Sequence, residues 1–147
     1  MLKQKQLDYE SENCAPFPDF MTLSVAESTI IRRRLFERIG IDASLERQEI
    51  GKLFSMSFRE IDKSIPIENG PFLYDRVVGY CGYDPVVVFV NFYEFDSLDL
   101  ISLRNLSCIL NDIWHPGAED MDIFDWTFSW VVQVNHGEVL QAFRAES

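Results

Sequence analysis

The sequence predicts an α/β domain of the α+β type: an N-terminal helical hairpin, then a mainly antiparallel sheet of about four strands with one central helix. Three observations predict this class. Apolar residues recur every three or four positions over residues 24–65, as in amphipathic helices. Residues 86–90 form a continuous, mostly β-branched apolar run, typical of a strand covered on both faces. Residues 128–134 alternate as a strand does, and residues 139–143 follow a turn. The predicted order is ααββαββ.

Two helices are predicted in the first half of the chain. The first begins at Ser24, where Glu27 three residues later completes a capping-box pattern, and it ends at Gly40. The second begins at Asp42 or Ser44 and ends before Pro66. A short turn joins them, so we expect a helical hairpin.

The pattern changes after Pro71. Residues 72–80 are rich in β-forming residues and predict a strand, which a turn connects to the central strand at 86–90. A third helix follows from Asp96 or Ser97 to Trp114, with an apolar face and an acidic face. The turn at residues 135–137 then closes an antiparallel hairpin at the end of the chain.

Negative charge is concentrated in the second half of the sequence. The chain of 147 residues has a formal net charge of −11. Residues 1–69 hold ten Lys/Arg against twelve Asp/Glu, a net of −2, whereas residues 70–147 hold three against twelve, a net of −9. Such a half should repel nucleic-acid phosphates and attract a basic protein.

The length and the composition predict one domain over residues 21–147, preceded by a loosely packed arm over residues 1–20. The N-terminus lacks the apolar run of a signal peptide, and no apolar stretch approaches the length of a membrane span. Cys14, Cys81 and Cys108 are widely spaced, so we expect reduced thiols, with Cys81 and Cys108 in or near the core. A cytoplasmic location is therefore expected.

An acidic connection from Trp114 to Trp126 links the third helix to the hairpin. It contains four carboxylates and no Lys or Arg. We expect it at the surface, because an unpaired carboxylate is costly to bury. The exposed face of the third helix adds two further acids. The candidate partner-binding residues are Asp99, Asp112, Glu119, Asp120, Asp122, Asp125 and Trp126, with Trp114, Tyr93 and Phe124 as further aromatic residues beside the acids.

Motifs for catalysis or metal binding are not found. The sequence has no phosphate-binding glycine loop, no H-E-x-x-H and no G-x-S-x-G. Asp120, Asp122 and Asp125 approach the spacing of a calcium loop, but Phe124 occupies its third ligand position and Asp125 its glycine position. We therefore predict no catalytic residue, no metal and no cofactor. The alternative is a small metal-dependent or hydrolytic enzyme that uses His115, His136 and nearby carboxylates.

Residues 80–140 resemble small acidic bacterial immunity proteins. The similarity lies in V-V-V-F-V-N, in I-W-H-P-G-A-E-D-M-D-I-F-D and in S-W-V-V-Q-V-N-H-G-E-V. These proteins include the partners of contact-dependent growth-inhibition toxins and of other polymorphic toxins. The resemblance implies a cytosolic, non-enzymatic protein that binds a basic toxin domain, often a nuclease, and masks its active site. It carries over Glu119, Asp120, Asp122 and Asp125 as candidate contacts.

The predicted partner is therefore the C-terminal domain of a cognate toxin, with no nucleic acid and no membrane. A second alternative shares the acidic surface: a nucleic-acid mimic or adaptor that occupies the site of a DNA-binding protein. A third is that the acids only keep the protein in solution.

Overall fold

The computed structural model describes residues 1–92 and 95–146. This part of the chain contains five helices: α1 Leu2–Asn13, α2 Val25–Ile39, α3 Arg47–Met56, α4 Phe72–Cys81 and α5 Leu103–Ile113. It also contains seven strands: β1 Phe20–Thr22, β2 Arg59–Asp62, β3 Val87–Asn91, β4 Asp99–Ser102, β5 Met121–Phe124, β6 Trp130–Val134 and β7 Leu140–Arg144. None of the described helices is both long and apolar enough to cross a bilayer.

All seven strands belong to one antiparallel sheet, in the order β1-β4-β3-β5-β6-β7-β2. The middle strand is β5, which pairs with β3 on one side and with β6 on the other. The described elements follow the order αβααβαββαβββ. The α+β class is therefore confirmed, whereas the prediction of about four strands in the order ααββαββ is wrong in detail.

Helices cover both faces of the sheet. Val88 and Val90 point to one face and share a core with residues of α1, α4 and α5. Phe89 and Phe124 point to the other face and pack with residues of α2 and α3. Because side chains alternate along a strand, neighbouring residues of β3 and β5 contribute to different cores.

The best-specified local signals correspond to elements of the structure. Ser24 is the N-cap of α2, with both hydrogen bonds of the capping box to Glu27. Gly40 ends this helix with a φ of 83°, a conformation that favours glycine. The predicted C-terminal hairpin is formed by β6 and β7 around the turn at 135–137.

The predicted N-terminal arm is a packed helix. Leu2 is fully buried in α1, and Lys5 is buried as well. Phe17 after the helix is also buried, with its ring 5.3 Å from that of Tyr9. Tertiary contacts thus hold a segment whose mean hydropathy gave no sign of a core element.

Residues 72–80, predicted as a strand, form α4. Leu73 and Val77, four residues apart, are both fully buried against the sheet. The helical spacing of these two apolar positions outweighs the β propensity of the other residues, because burial decides the state of a short segment.

Three further boundaries differ from the prediction. The second helix ends at Met56, and the following residues 59–62 form the edge strand β2. The third helix begins at Leu103, because residues 99–102 are strand β4. The acidic connection contains β5, the middle strand of the sheet. In each case polar residues within a strand concealed its alternation.

Candidate functional site

The chain connections lie at two opposite ends of the sheet. One end, which we call the acidic end, is where β1, β2, β3 and β6 finish and where β4, β5 and β7 begin. The described segments at this end are 23–24, 62–69, 95–99, 112–122 and 135–139. The opposite end comprises segments 14–19, 57–59, 81–87, 102–104, 124–130 and 144–146.

The two ends differ sharply in charge. The segments of the acidic end contain nine Asp/Glu residues, with Lys63 as their one Lys or Arg. The segments of the opposite end contain four acids and three arginines. The topology of the sheet therefore gathers at one end acids that are spread over some 80 positions of the sequence.

This arrangement divides the seven predicted partner-binding residues. Five of them lie at the acidic end: Asp99, Asp112, Glu119, Asp120 and Asp122. Asp125 and Trp126 follow the other end of β5 and so lie at the opposite end of the sheet. The structure does not bring all seven onto one surface.

Several of these acids are buried, which corrects the expectation of an exposed connection. Asp99 is fully buried and accepts hydrogen bonds from the Leu2 amide at 3.2 Å and the Thr22 hydroxyl at 2.7 Å. Glu119 forms a buried ion pair with Lys5 at 2.9 Å. Internal partners thus satisfy these carboxylates, as burial requires.

Asp125 is also buried, within a hydrogen-bonded group at the opposite end. The Tyr83 hydroxyl donates to one of its oxygens at 2.5 Å, and the backbone amide of Thr127 donates to the other at 3.0 Å. Burial and the bond to Asp125 raise the pKa of Tyr83. Trp126 beside it is 56% exposed, with its ring centroid 4.6 Å from that of Phe89.

The remaining predicted acids are accessible to solvent. Asp112 accepts a hydrogen bond from the Asn69 side chain, and Asp120 lies 2.7 Å from Nδ1 of His136. Asp96 and Glu138 are exposed at the same end of the sheet. Tyr93 lies outside the described residues, and Phe124 and Trp114 are core residues.

A row of polar side chains crosses four strands of the sheet at the acidic end. Asn91, Asp122, Gln133 and Gln141 are direct neighbours in the strand pairing of β3, β5, β6 and β7. Asn91 Nδ2 and Gln133 Nε2 donate to the two oxygens of Asp122 at 2.9 and 2.8 Å. Gln141 Nε2 donates to Gln133 Oε1 at 2.6 Å. Two amides of the row therefore donate to the carboxylate directly, and the third donates to one of those amides.

Burial raises the pKa of Asp122 to about 6, although the hydrogen bonds from Asn91 and Gln133 act in the opposite direction. The negative charge of Asp120 raises the pKa further. No Lys or Arg in the described part of the chain forms an ion pair with Asp122. Strongly perturbed carboxyls without a basic partner are candidates for functional sites.

A cavity of about 370 Å³ lies between this row and the helices α2 and α3. Its polar lining includes Asn91, Asp120, Asp122, Gln133, Arg32, Arg47, Gln48 and Ser55, and its apolar lining includes Ile50, Phe36, Phe54, Phe92 and Phe95. The buried Nε of Arg32 has no hydrogen-bond partner among the described residues. The arginine instead lies over the ring of Phe36, 5.2 Å from its centroid.

The structure brings only some residues of the alternative enzyme site into contact. His136 bonds to Asp120, whereas His115 is exposed after α5. Within residues 1–92 and 95–146, no group of three or more His, Cys, Asp and Glu side chains is placed to hold a metal ion. Cys108 is exposed, contrary to the expectation of a core position, and Cys81 is half-buried.

Sequence reasoning missed the polar row and its cavity. A signal existed, because Asn91, Asp122 and Gln133 each interrupt a strongly apolar strand.

The chain matches no family model, no curated protein and no solved structure.

Proposed function

We propose that this chain is a non-enzymatic immunity protein whose acidic end binds and neutralises a basic toxin domain. The supporting observation is the charge of the connecting segments, which carry nine acids and one Lys at this end of the sheet. Lys5, Arg47, Arg76 and the N-terminal ammonium pair with four of these acids, so the end retains a smaller net excess of negative charge. A basic nuclease domain carries its positive charge around the substrate cleft, where it must bind phosphates. An acidic end that docks there would exclude the nucleic acid.

The structure leaves fewer of the predicted residues available as contacts. Asp99 and Glu119 have internal partners, so they contribute to folding rather than to direct contacts. The proposed contacts are the solvent-accessible acids of the acidic end that form no ion pair with a described Lys or Arg: Glu68, Asp112, Asp120 and Glu138. Trp126 lies at the opposite end and is not part of this surface.

Electrostatic attraction would act mainly on the rate of association. Complementary charges raise association rates to about 10⁸–10⁹ M⁻¹s⁻¹ at low salt, and the increase is lost as salt screens the charges. The complex should therefore form rapidly, and its association rate should fall steeply with ionic strength. The dissociation rate should change much less.

A growth-rescue experiment tests this function. The C-terminal domain of the protein encoded directly upstream is expressed in a host cell, with and without this chain. If the proposal holds, the domain stops growth when expressed alone, and co-expression of this chain restores it. Binding of the two purified proteins is then measured at low salt. A toxic upstream domain that this chain neither binds nor neutralises would contradict the proposal.

Adding unrelated DNA-binding proteins to the binding measurement separates the proposal from a nucleic-acid mimic. A mimic would compete with DNA for any DNA-binding protein of suitable charge, whereas an immunity protein inhibits its cognate domain. Inhibition of unrelated DNA-binding proteins with equal affinity would favour the mimic.

A further inference from the structure

The cavity between the sheet and α2–α3 has a negative side and a positive side. On the sheet side, Asp122 is only 5% exposed and each of its oxygens accepts one amide hydrogen bond. An ionised carboxylate can accept about four hydrogen bonds, so acceptor capacity remains on Asp122. Asp120 lines the same cavity and adds to its negative potential.

On the helix side, Arg32 and Arg47 line the cavity. Arg47 forms an ion pair with Asp96 at 3.2 Å. Arg32 is different, because its buried Nε donates to no acceptor among the described residues. Arg32 also forms no ion pair with a described carboxylate, so this side of the cavity carries a positive charge without a bound anion.

We propose that this cavity binds a small zwitterion of the α-amino-acid class. The ammonium group of the ligand donates to Asp122, and its carboxylate accepts from Arg32. Its side chain packs against the apolar lining, which includes Ile50, Phe54 and Phe95. This site requires no macromolecular partner, although Asp120 both lines the cavity and belongs to the proposed docking surface.

A zwitterion fits the lining better than a simple ion does. A cation on Asp122 would face two arginines, and an anion on Arg32 would face Asp120 and Asp122. A ligand with both charges pairs with both sides, and each new hydrogen bond is charge-assisted. The volume of about 370 Å³ lies at the small end of the range for ligand pockets, as a single amino acid requires.

The state of Asp122 agrees with this assignment. Burial without a cation raises its pKa to about 6. A ligand ammonium at hydrogen-bond distance would supply the missing positive charge and favour the ionised carboxylate.

The experiment begins with the full chain and the twenty L-amino acids, each tested singly at about 10 mM for a rise in Tm. We expect at least one to raise Tm by about 3–6 °C and to give saturable heat in calorimetry. The N-acetyl derivative of that amino acid lacks the ammonium, and the corresponding decarboxylated amine lacks the carboxylate. Both should bind at least about tenfold more weakly.

Two variants and a matched control locate the binding. Asp122→Asn and Arg32→Gln should each lower the affinity at least about tenfold. Arg33→Gln, which alters the exposed neighbouring arginine on α2, should leave it within about twofold. Because Arg32 is half-buried and forms no ion pair with a described carboxylate, we expect Arg32→Gln to fold even if Asp122→Asn does not. The proposal is overturned if none of the twenty amino acids binds, if the N-acetyl form binds equally well, or if Arg32→Gln binds like the unaltered chain.

Discussion

Lys5 and Glu119 form a buried ion pair, with Nζ 2.9 Å from Oε2 and side chains that are 9% and 10% exposed. The two residues are separated by 114 positions, and their pairing fastens α1 to the connection before β5. Trp114 supports the same connection by donating its indole N–H to the carbonyl of Glu119 at 2.9 Å. The acidic end is thus built on a connection that the N-terminal helix holds in place.

Replacing Lys5 with Met should destabilise the fold by about 3–5 kcal/mol, because it leaves the Glu119 carboxylate buried without a cation. Urea unfolding measures this loss. Asp96→Asn is the control, since it alters the exposed pair with Arg47 and should cost less than about 1 kcal/mol. A loss below about 1 kcal/mol for Lys5→Met would show that the pair is not buried in solution.

Local sequence motifs correctly predicted the start of α2 and the C-terminal hairpin. Ser24 and Glu27 form a capping box from residues three apart, and the turn at 135–137 fixes its own hairpin. The identity of α4 and β5 depends instead on what each segment packs against. Residues 72–80 have β propensity but bury Leu73 and Val77 at helical spacing, and propensity alone could not reveal this.

The sequence predicted the negative charge of the candidate site, but it did not predict which acids are exposed or how they are paired. The excess of acids in the second half is a property of the sequence, and the topology collects them at one end. Whether an acid is exposed depends on its partner: Glu119 has Lys5, and Asp122 has amides from two neighbouring strands. The registers that create these pairs are long-range, so the sequence pattern could not separate buried acids from exposed ones.

Asp122 should make the free energy of unfolding fall as pH rises between about 4 and 6. Its pKa is raised from 3.8 to about 6 in the folded chain. Below pH 3.8 Asp122 is protonated in both the folded and the unfolded chain, so it does not lower the free energy of unfolding. Between the two values the folded chain retains a proton that the unfolded chain has lost, so stability decreases with pH. The full loss, present above about 6, is on the order of 3 kcal/mol.

Comparison with Asp122→Asn isolates this contribution. The variant keeps one acceptor oxygen but places an amide donor opposite one of the two donors, Asn91 or Gln133, which costs about 1–3 kcal/mol at every pH. Its stability relative to the unaltered chain should nevertheless rise by about 2 kcal/mol between pH 4 and pH 7. Chemical unfolding at several pH values gives this difference. Glu12→Gln on the exposed side of α1 should show no comparable rise, and an equal rise would assign the effect to general charge repulsion.

Replacing Val86 with glycine should raise the free energy of unfolding. Its φ is 65°, a conformation that is strained for a β-branched residue, and its side chain is 63% exposed. The Val87 amide donates to the Pro85 carbonyl at 2.7 Å across this tight turn. Val86→Gly relieves the strain and should stabilise the chain by about 1 kcal/mol in urea unfolding. Val87→Gly, within β3, should destabilise it; equal effects at both positions would contradict the strain at Val86.

The three thiols should differ in reactivity. Cys14 and Cys108 are exposed, whereas Cys81 is half-buried. Burial and the charge of Asp125 raise the pKa of Cys81 to about 12, although Arg144 acts in the opposite direction. An aromatic disulfide reagent at about pH 8 should therefore modify two thiols at least about 100-fold faster than the third. Cys81→Ser should retain both fast phases; loss of a fast phase would show that Cys81 is accessible.

Charge reversal at the acidic end should slow association with a basic partner. Asp112, Asp120 and Glu138 are changed together to Lys, which raises the net charge by six. If the proposed function holds, association with the basic toxin domain should fall at least about tenfold at low salt and become nearly independent of salt. Asp8, Glu10 and Glu12 on the exposed side of α1 provide a matched control with the same change of charge. If both triple variants lose the same amount, net charge rather than the acidic end drives association; loss confined to the acidic-end variant assigns docking to that surface.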